Sequence, residues 1–249
     1  MIGRREVTLP REDVSRFVVH LTRDDTGEWD GAGQEARLNF LDIYRQRKIL
    51  ALKAHCLHAK KMTPKQRKKC RVACFTEMPL TAIQHVARPI PGRQIQLEPY
   101  GFVFKREFII EKGAQQVQYV NSYAGNSEVR DGYDSIFAIA AKKDFTGRMW
   151  RTLPFVSAMH ESCDFCWERE WRILGDLTFN YSDLVCLILP EERNGPLKFS
   201  LAQKGISWIA PEWGSEQIVE CLSDQQRRTR RLNPPTEKPQ LVVRRTAKY

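Results

Sequence analysis

Cys163-Asp-Phe-Cys-Trp-Glu-Arg-Glu-Trp-Arg-Ile-Leu174 places two carboxylates two residues apart in a segment rich in aromatic and branched side chains. Read as a strand, it turns Trp167, Arg169, Trp171 and Ile173 to one side and Glu168, Glu170 and Arg172 to the other. The two carboxylates are then roughly 7 Å apart along the chain. A polar face of that kind looks either into water or into a site.

Outward from this segment the chain reads as alternating strand and helix signals without a regular βαβ order. Toward the N-terminus, Arg16–Thr22 is a short apolar strand ending in His20-x-Thr22, and the loop 24–34 that follows is rich in Gly and Asp. Helical apolar spacing runs from Ala36 to Leu57, and Thr63-Pro64 supplies an N-cap and first position for a second, short helix. Strands are expected at Val72–Thr76, Tyr100–Phe104, Gln116–Val120, Leu153–Ala158, Leu184–Leu189 and Gly205–Ala210. Helical segments are expected after Glu77, over Lys105–Lys112 closed by Gly113, over Tyr133–Lys143, and over Pro211–Asp224. The last of these has Trp213, Ile218, Val219 and Leu222 on its buried side. The fold class is α+β. Residues 1–224 read as one domain, and 225–249, with two arginine runs and Pro234-Pro235, as an extended basic tail.

Charge is segregated along the chain. Tyr44–Val72 carries eleven Lys or Arg and no acid, and residues 225–249 carry eight basic residues against Glu237 alone. With a formal charge of +10 for the whole, these +11 and +7 segments leave the remainder at −8. An acidic body with two basic attachments suits a phosphate-bearing partner, because neutralising phosphates releases counterions. Either segment alone reads equally well as a solvated, solubilising surface.

Other classes lose support. The charged N-terminus gives no secretory signal, and no window is long and apolar enough to span a bilayer. Seven cysteines, an odd number, suit reduced thiols in a cytoplasm. Cys74, Cys186 and Cys221 sit in apolar surroundings, whereas Cys56, Cys70, Cys163 and Cys166 sit among polar residues. His160-x-x-Cys163-x-x-Cys166 lacks a fourth ligand at zinc spacing, so no metal is expected. Phosphate-binding glycine loops and the Gly-x-Ser-x-Gly elbow are absent from the sequence.

The order His20-x-Thr22, helix, Cys74-Phe-Thr-Glu77-x-Pro79-Leu80, His85, Tyr100-Gly101 and Glu168-x-Glu170-Trp-Arg resembles abortive-phage-infection proteins of the AbiGi type. Those in turn resemble ADP-ribosyltransferases, and the likeness covers roughly residues 17–174. It implies a split β-sandwich with flanking helices, and an NAD-consuming glycosyl transfer. It further implies that His20 and Thr22 hold NAD, that Tyr100 lines the nicotinamide pocket, and that Glu170 is the catalytic carboxylate, with Glu168 addressing the acceptor. The stretch before Tyr100 and the basic tail depart from that pattern. With the charge distribution, the expectation is a cytoplasmic enzyme that ADP-ribosylates nucleic acid, RNA rather than DNA, in phage defence or as a toxin. An antitoxin or other operon protein is an expected partner. The alternative is a non-catalytic nucleic-acid-binding or partner-binding component of such an operon. A less favoured one is an NAD-consuming RNA 2′-phosphotransferase.

Overall fold

A computed structural model describes residues 15–24, 35–90, 95–123, 127–160, 164–192 and 195–232, with side chains to Asp224. It is a mixed α+β structure. Its centre is an eight-stranded sheet built from β1 (Phe17–Leu21), β3 (Leu52–Lys53), β4 (Arg71–Thr76), β5 (Gly101–Lys105), β6 (Gln115–Gln116), β9 (Glu170–Leu174), β11 (Leu184–Ile188) and β12 (Trp208–Ile209). Two small sheets flank it. One pairs β2 (Lys48–Ile49) with β10 (Leu177–Thr178), and the other pairs β7 (Gln118–Asn121) with β8 (Val156–Met159) in parallel.

The order across the large sheet is β12-β11-β5-β1-β4-β9-β6, with β3 also on β4. One edge of β4 pairs with β9 from Ala73↔Ile173 to Thr76↔Glu170, and the Gly175 amide prolongs that pairing to the Arg71 carbonyl. The opposite edge is divided. β3 takes its start, at Arg71 and Val72, and β1 takes its end, through the one registered pair Val19↔Thr76. β1 follows β5 for five residues, from Phe17↔Lys105 to Leu21↔Gly101. The sheet therefore separates into a β1-β5-β11-β12 half and a β3-β4-β9-β6 half that part beyond Thr76.

Apolar alternation along these strands buries both faces. Val18, Phe75, Phe102, Phe104, Ile173 and Leu187 pack on one side, under α1 (Ala36–Gln46), α4 (Arg106–Glu111) and α6 (Gly195–Gln203), which contribute Phe40, Ile109 and Leu201. Val19, Leu21, Val103 and Ile188 pack on the other, with α3 (Ile83–Val86) and α7 (Ser215–Leu232). A third cluster joins α2 (Pro64–Lys69) to α5 (Glu128–Lys142) through Met62, Cys70, Ala140, Phe145 and Leu153.

Gly101 sits where β5 comes closest to β1. A Cβ there would lie 2.8 Å from both the His20 carbonyl oxygen and Leu21 Cδ2. Gly101→Ala is expected to force the two strands apart and cost about 1–3 kcal/mol, the range for overfilling a packed site. Urea unfolding checks this, with an unchanged midpoint counting against it.

Several expectations need correction. The first helix ends at Gln46, not Leu57, because Arg47 adopts a left-handed conformation (φ 52°) whose amide caps Ile43; the chain then forms β2 and β3. The Gln116–Val120 strand is broken at Val117, and its two parts enter different sheets. Leu153 to Phe155 belongs to a 3-10 turn before β8, and the Gly205–Ala210 strand shrinks to β12. The last helix continues past Asp224 to Leu232, and Val219 on it is exposed while Ile218 is buried. Residues 233–249 of the basic tail lie outside the described residues. Cys56 and Cys70 are buried and Cys74 exposed, the reverse of their sequence surroundings. Among the described residues no helix is long and apolar enough to cross a membrane.

Candidate functional site

The separation of the two sheet halves leaves the β4 edge around Cys74 without a strand partner on the β1 side. His20 fills that place. Its Nδ1 lies 2.8 Å from the Cys74 carbonyl oxygen. A carbonyl only accepts, so Nδ1 carries the proton and Nε2 keeps its lone pair. The ring leans on Phe75, with centroids 5.8 Å apart. Burial lowers the His20 pKa to about 4, against the help of the Cys74 hydrogen bond, and the Arg23 charge lowers it further. The imidazole is therefore neutral at physiological pH and offers Nε2 as an acceptor.

Cys74 pairs with Arg172 across β4 and β9, which puts its side chain on the same face as Glu170 and Arg172. Burial and the Glu170 charge push the thiol pKa well up, yet the side chain is exposed. Exposed His55 shares this character, its pKa lowered first by burial and then by Arg23 and Arg172.

Glu170 is the acid of this strand face. Arg172 grips it with two parallel bonds, Nε to Oε1 at 2.9 Å and Nη2 to Oε2 at 2.8 Å, and the Tyr119 hydroxyl stands 3.4 Å from Oε2. Burial raises the Glu170 pKa, but the Arg172 charge and hydrogen bonds from Arg172, Cys74 and Tyr119 outweigh it and hold the carboxyl below its ordinary range. Arg172 is held in turn by the Pro154 carbonyl at 2.5 Å, the His55 carbonyl at 3.2 Å and Ser157 Oγ at 3.1 Å. One guanidinium thus ties β9 to β8 and to the His55 segment.

Glu168 is not on the strand. Cys166–Glu168 form a 3-10 turn, Arg169 is left-handed at φ 48°, and β9 begins only at Glu170. The alternation expected from Trp167 to Ile173 therefore holds only from Glu170 onward. Glu168 is 9% exposed, and its carbonyl accepts from Thr76 Oγ1 at 2.6 Å. Its carboxylate still acts on the same neighbourhood: with burial and Glu170 ahead of it, Glu168 adds to the upward shift of the Tyr119 pKa.

Thr22 and Tyr100 stand deeper. Thr22 is buried, with Oγ1 2.9 Å from the Ala36 carbonyl and 3.2 Å from that of Tyr100, so it fastens the end of β1 to α1 and β5. The Tyr100 ring is 6% exposed and packs on Phe40 in the core. The tyrosine hydroxyl beside Glu170 belongs to Tyr119, on β7. Glu77 of the Cys74–Leu80 motif is a structural carboxylate, accepting from Arg106 Nη1 at 2.7 Å and Trp171 Nε1 at 2.6 Å. Sequence reasoning does not bring Cys74, His55 and Arg172 together: His55 and Cys74 fall in a loose cluster with Cys56, His58 and Cys70 that has no metal-ligand spacing, and Arg172 is marked only by its i, i+2 spacing from Glu170 on a strand face.

Among the described residues no three His, Cys, Asp or Glu side chains converge as metal ligands, and Cys163 lies outside those residues. Acid is expected to erode stability in two windows. Between pH 6.5 and about 4 the unfolded chain binds a proton that folded His20 refuses, so stability falls as pH drops through that range. Glu170, with its pKa depressed, contributes above the ordinary carboxylate value of 4.5 and loses that contribution only as pH falls through its lower folded value. Urea unfolding at pH 7 and pH 5 should show a smaller difference for His20→Gln than for the unaltered chain; equal differences would rule His20 out as the source. Compared with known protein families, curated proteins and solved structures, the chain matches none.

Proposed function

We propose that this protein is an NAD-dependent ADP-ribosyltransferase of the cytoplasm that modifies RNA, in phage defence or as a toxin. The observation that carries the reading is the meeting of residues far apart in sequence. His20 donates to the Cys74 carbonyl where the split sheet opens, and the Cys74 side chain shares a strand face with Glu170 and Arg172. The resemblance to ADP-ribosyltransferases predicts a split β-sandwich with a histidine and a glutamate at such an opening.

The residues suit the chemistry. The neutral His20 ring can accept from a ribose hydroxyl of NAD through Nε2. As the bond between ribose C1′ and the nicotinamide nitrogen breaks, its electron pair leaves with nicotinamide and positive charge develops on the ribose. The Glu170 carboxylate, kept ionised by Arg172, faces that charge without having to reorganise. The acceptor oxygen or nitrogen then bonds C1′ and gives up its proton, for which Glu168 is the second carboxylate in reach. The test is incubation of purified protein with NAD labelled in its ADP-ribose part and total RNA. Label in RNA supports the proposal; label only in protein moves the acceptor, and no label at all ends the enzymatic claim.

One observation favours a second reading, a non-catalytic nucleic-acid-binding or operon-partner protein. Both Glu170 oxygens are taken by Arg172, as in a purely structural ion pair. In that case Glu168→Ala and Glu170→Ala variants that still fold keep their effect in the cell.

A further inference from the structure

The basic belt expected over Tyr44–Val72 is partly neutralised within the fold. Lys48 pairs with Asp176, Lys61 with Asp134 and Lys65 with Asp144, while Lys69 Nζ bonds the carbonyls of Asp144 and Phe145. Those last contacts bring α2 against the C-terminal end of α5. There the fold adds cations from a second part of the chain. Lys60 and Lys68 from the α2 side, and Lys142, Lys143, Arg148 and Arg151 from the α5 side, are exposed. None of them forms an ion pair among the described residues. The Trp150 ring stacks on Phe145 at 6.0 Å with Arg151 over it, and Met149 beside it is exposed.

This junction also borders the Glu170–Arg172 pair. The turn carrying Arg148 and Arg151 ends at Phe155, and the Pro154 carbonyl within it accepts from Arg172. The Leu57 amide, between His55 and the α2 segment, bonds the Val156 carbonyl at 2.8 Å.

We infer that the α2–α5 junction is the binding surface for single-stranded RNA, and that it leads the strand to the Glu170 site. Exposed cations with no ion pair among the described residues, beside a half-buried aromatic ring, fit a flexible phosphate backbone with stackable bases. The inference rests on the RNA part of the proposed function, but it is tested without NAD, so a failure of the transferase experiment does not decide it.

The full-length chain is titrated into a fluorescein-labelled single-stranded 20-mer RNA, and anisotropy is read at several salt concentrations. The triple variant Lys142→Ala/Lys143→Ala/Arg148→Ala is expected to bind about tenfold or more weakly, with the log–log salt slope smaller by about 2. The control Arg45→Ala/Lys105→Ala/Lys112→Ala removes the same charge elsewhere and is expected to stay within about twofold of the unaltered protein. Equal losses in both variants, or none in the first, overturn the inference. So does tighter binding to phosphatidylserine vesicles with the same dependence on the triple variant. Cross-linking to 4-thiouridine RNA gives a second reading that does not rely on variants folding. Adducts in peptides covering 59–69 or 142–151 support the surface, and adducts confined to other peptides overturn it.

Discussion

Glu170→Gln is expected to lower transfer of ADP-ribose from NAD to RNA by about 10²-fold or more, the scale on which removal of one preorganised charge-stabilising group slows an enzyme. Glutamine keeps the shape and the acceptor oxygen, so hydrogen bonds from Arg172 and Tyr119 persist in part. What disappears is the negative charge that, in the proposed mechanism, faces the developing ribosyl cation. The readout is single-turnover transfer of label at saturating NAD, with RNA affinity measured beside it. Transfer at the unaltered rate would remove Glu170 from catalysis. Loss of transfer together with loss of RNA binding would indicate a collapsed site instead. Glu168→Gln is the informative companion. Since Glu168 sits in the turn before β9 and not on its face, its loss should depend on the acceptor offered more than the loss of Glu170 does.

The second large effect is on stability. Arg172→Ala is expected to destabilise the fold by about 3–5 kcal/mol, the range for removing one partner of a buried ion pair. The Arg172 side chain is 3% exposed against 16% for Glu170, so the pair has little contact with water. Truncation leaves the Glu170 carboxylate desolvated, and it frees the carbonyls of Pro154 and His55 from the same donor. Guanidinium chloride unfolding checks this, and Arg172→Lys, which keeps the charge but not the planar fork, should fall between the two. A change below about 1 kcal/mol, the range of exposed pairs, would show that the Glu170–Arg172 bridge is open to solvent.

Local chemistry made some elements legible in the sequence. Thr63 and Pro64 start α2 as read, with Thr63 and Gln66 closing a capping box, and Gly113 follows α4 at φ 88°. The strands at Phe17–Leu21, Arg71–Thr76 and Leu184–Ile188 announced themselves by dense branched and aromatic content. What could not be read depended on partners distant in sequence or on unusual backbone. Arg47 and Arg169 adopt positive φ without being glycine, and each ended a pattern that the side chains seemed to continue. Tyr119 joins the candidate site because the Val117 amide bonds the Glu170 carbonyl at 2.8 Å and the chain then enters the parallel β7–β8 pair, a pairing distant in sequence. Helix α6 was missed because its apolar residues divide between buried Leu201 and solvent-facing Phe199. His20 and Glu170 stand out together in the sequence, whereas Cys74, whose carbonyl meets His20 and whose side chain shares the Glu170 face, reads there only as a thiol in apolar surroundings within the Cys74–Leu80 motif.

Within the ladder of the large sheet, the registered pair Val19↔Thr76, with the imidazole bond beside it, joins the two halves. Amide deuteration should therefore be uneven: protons on the facing edges of β1 and β4 exchange early, through a local parting of the seam, while those between β5 and β11 wait for global unfolding. A ligand that spans the seam would hold it shut, so slowed exchange at Thr76 on adding NAD would report occupancy even where no turnover is seen.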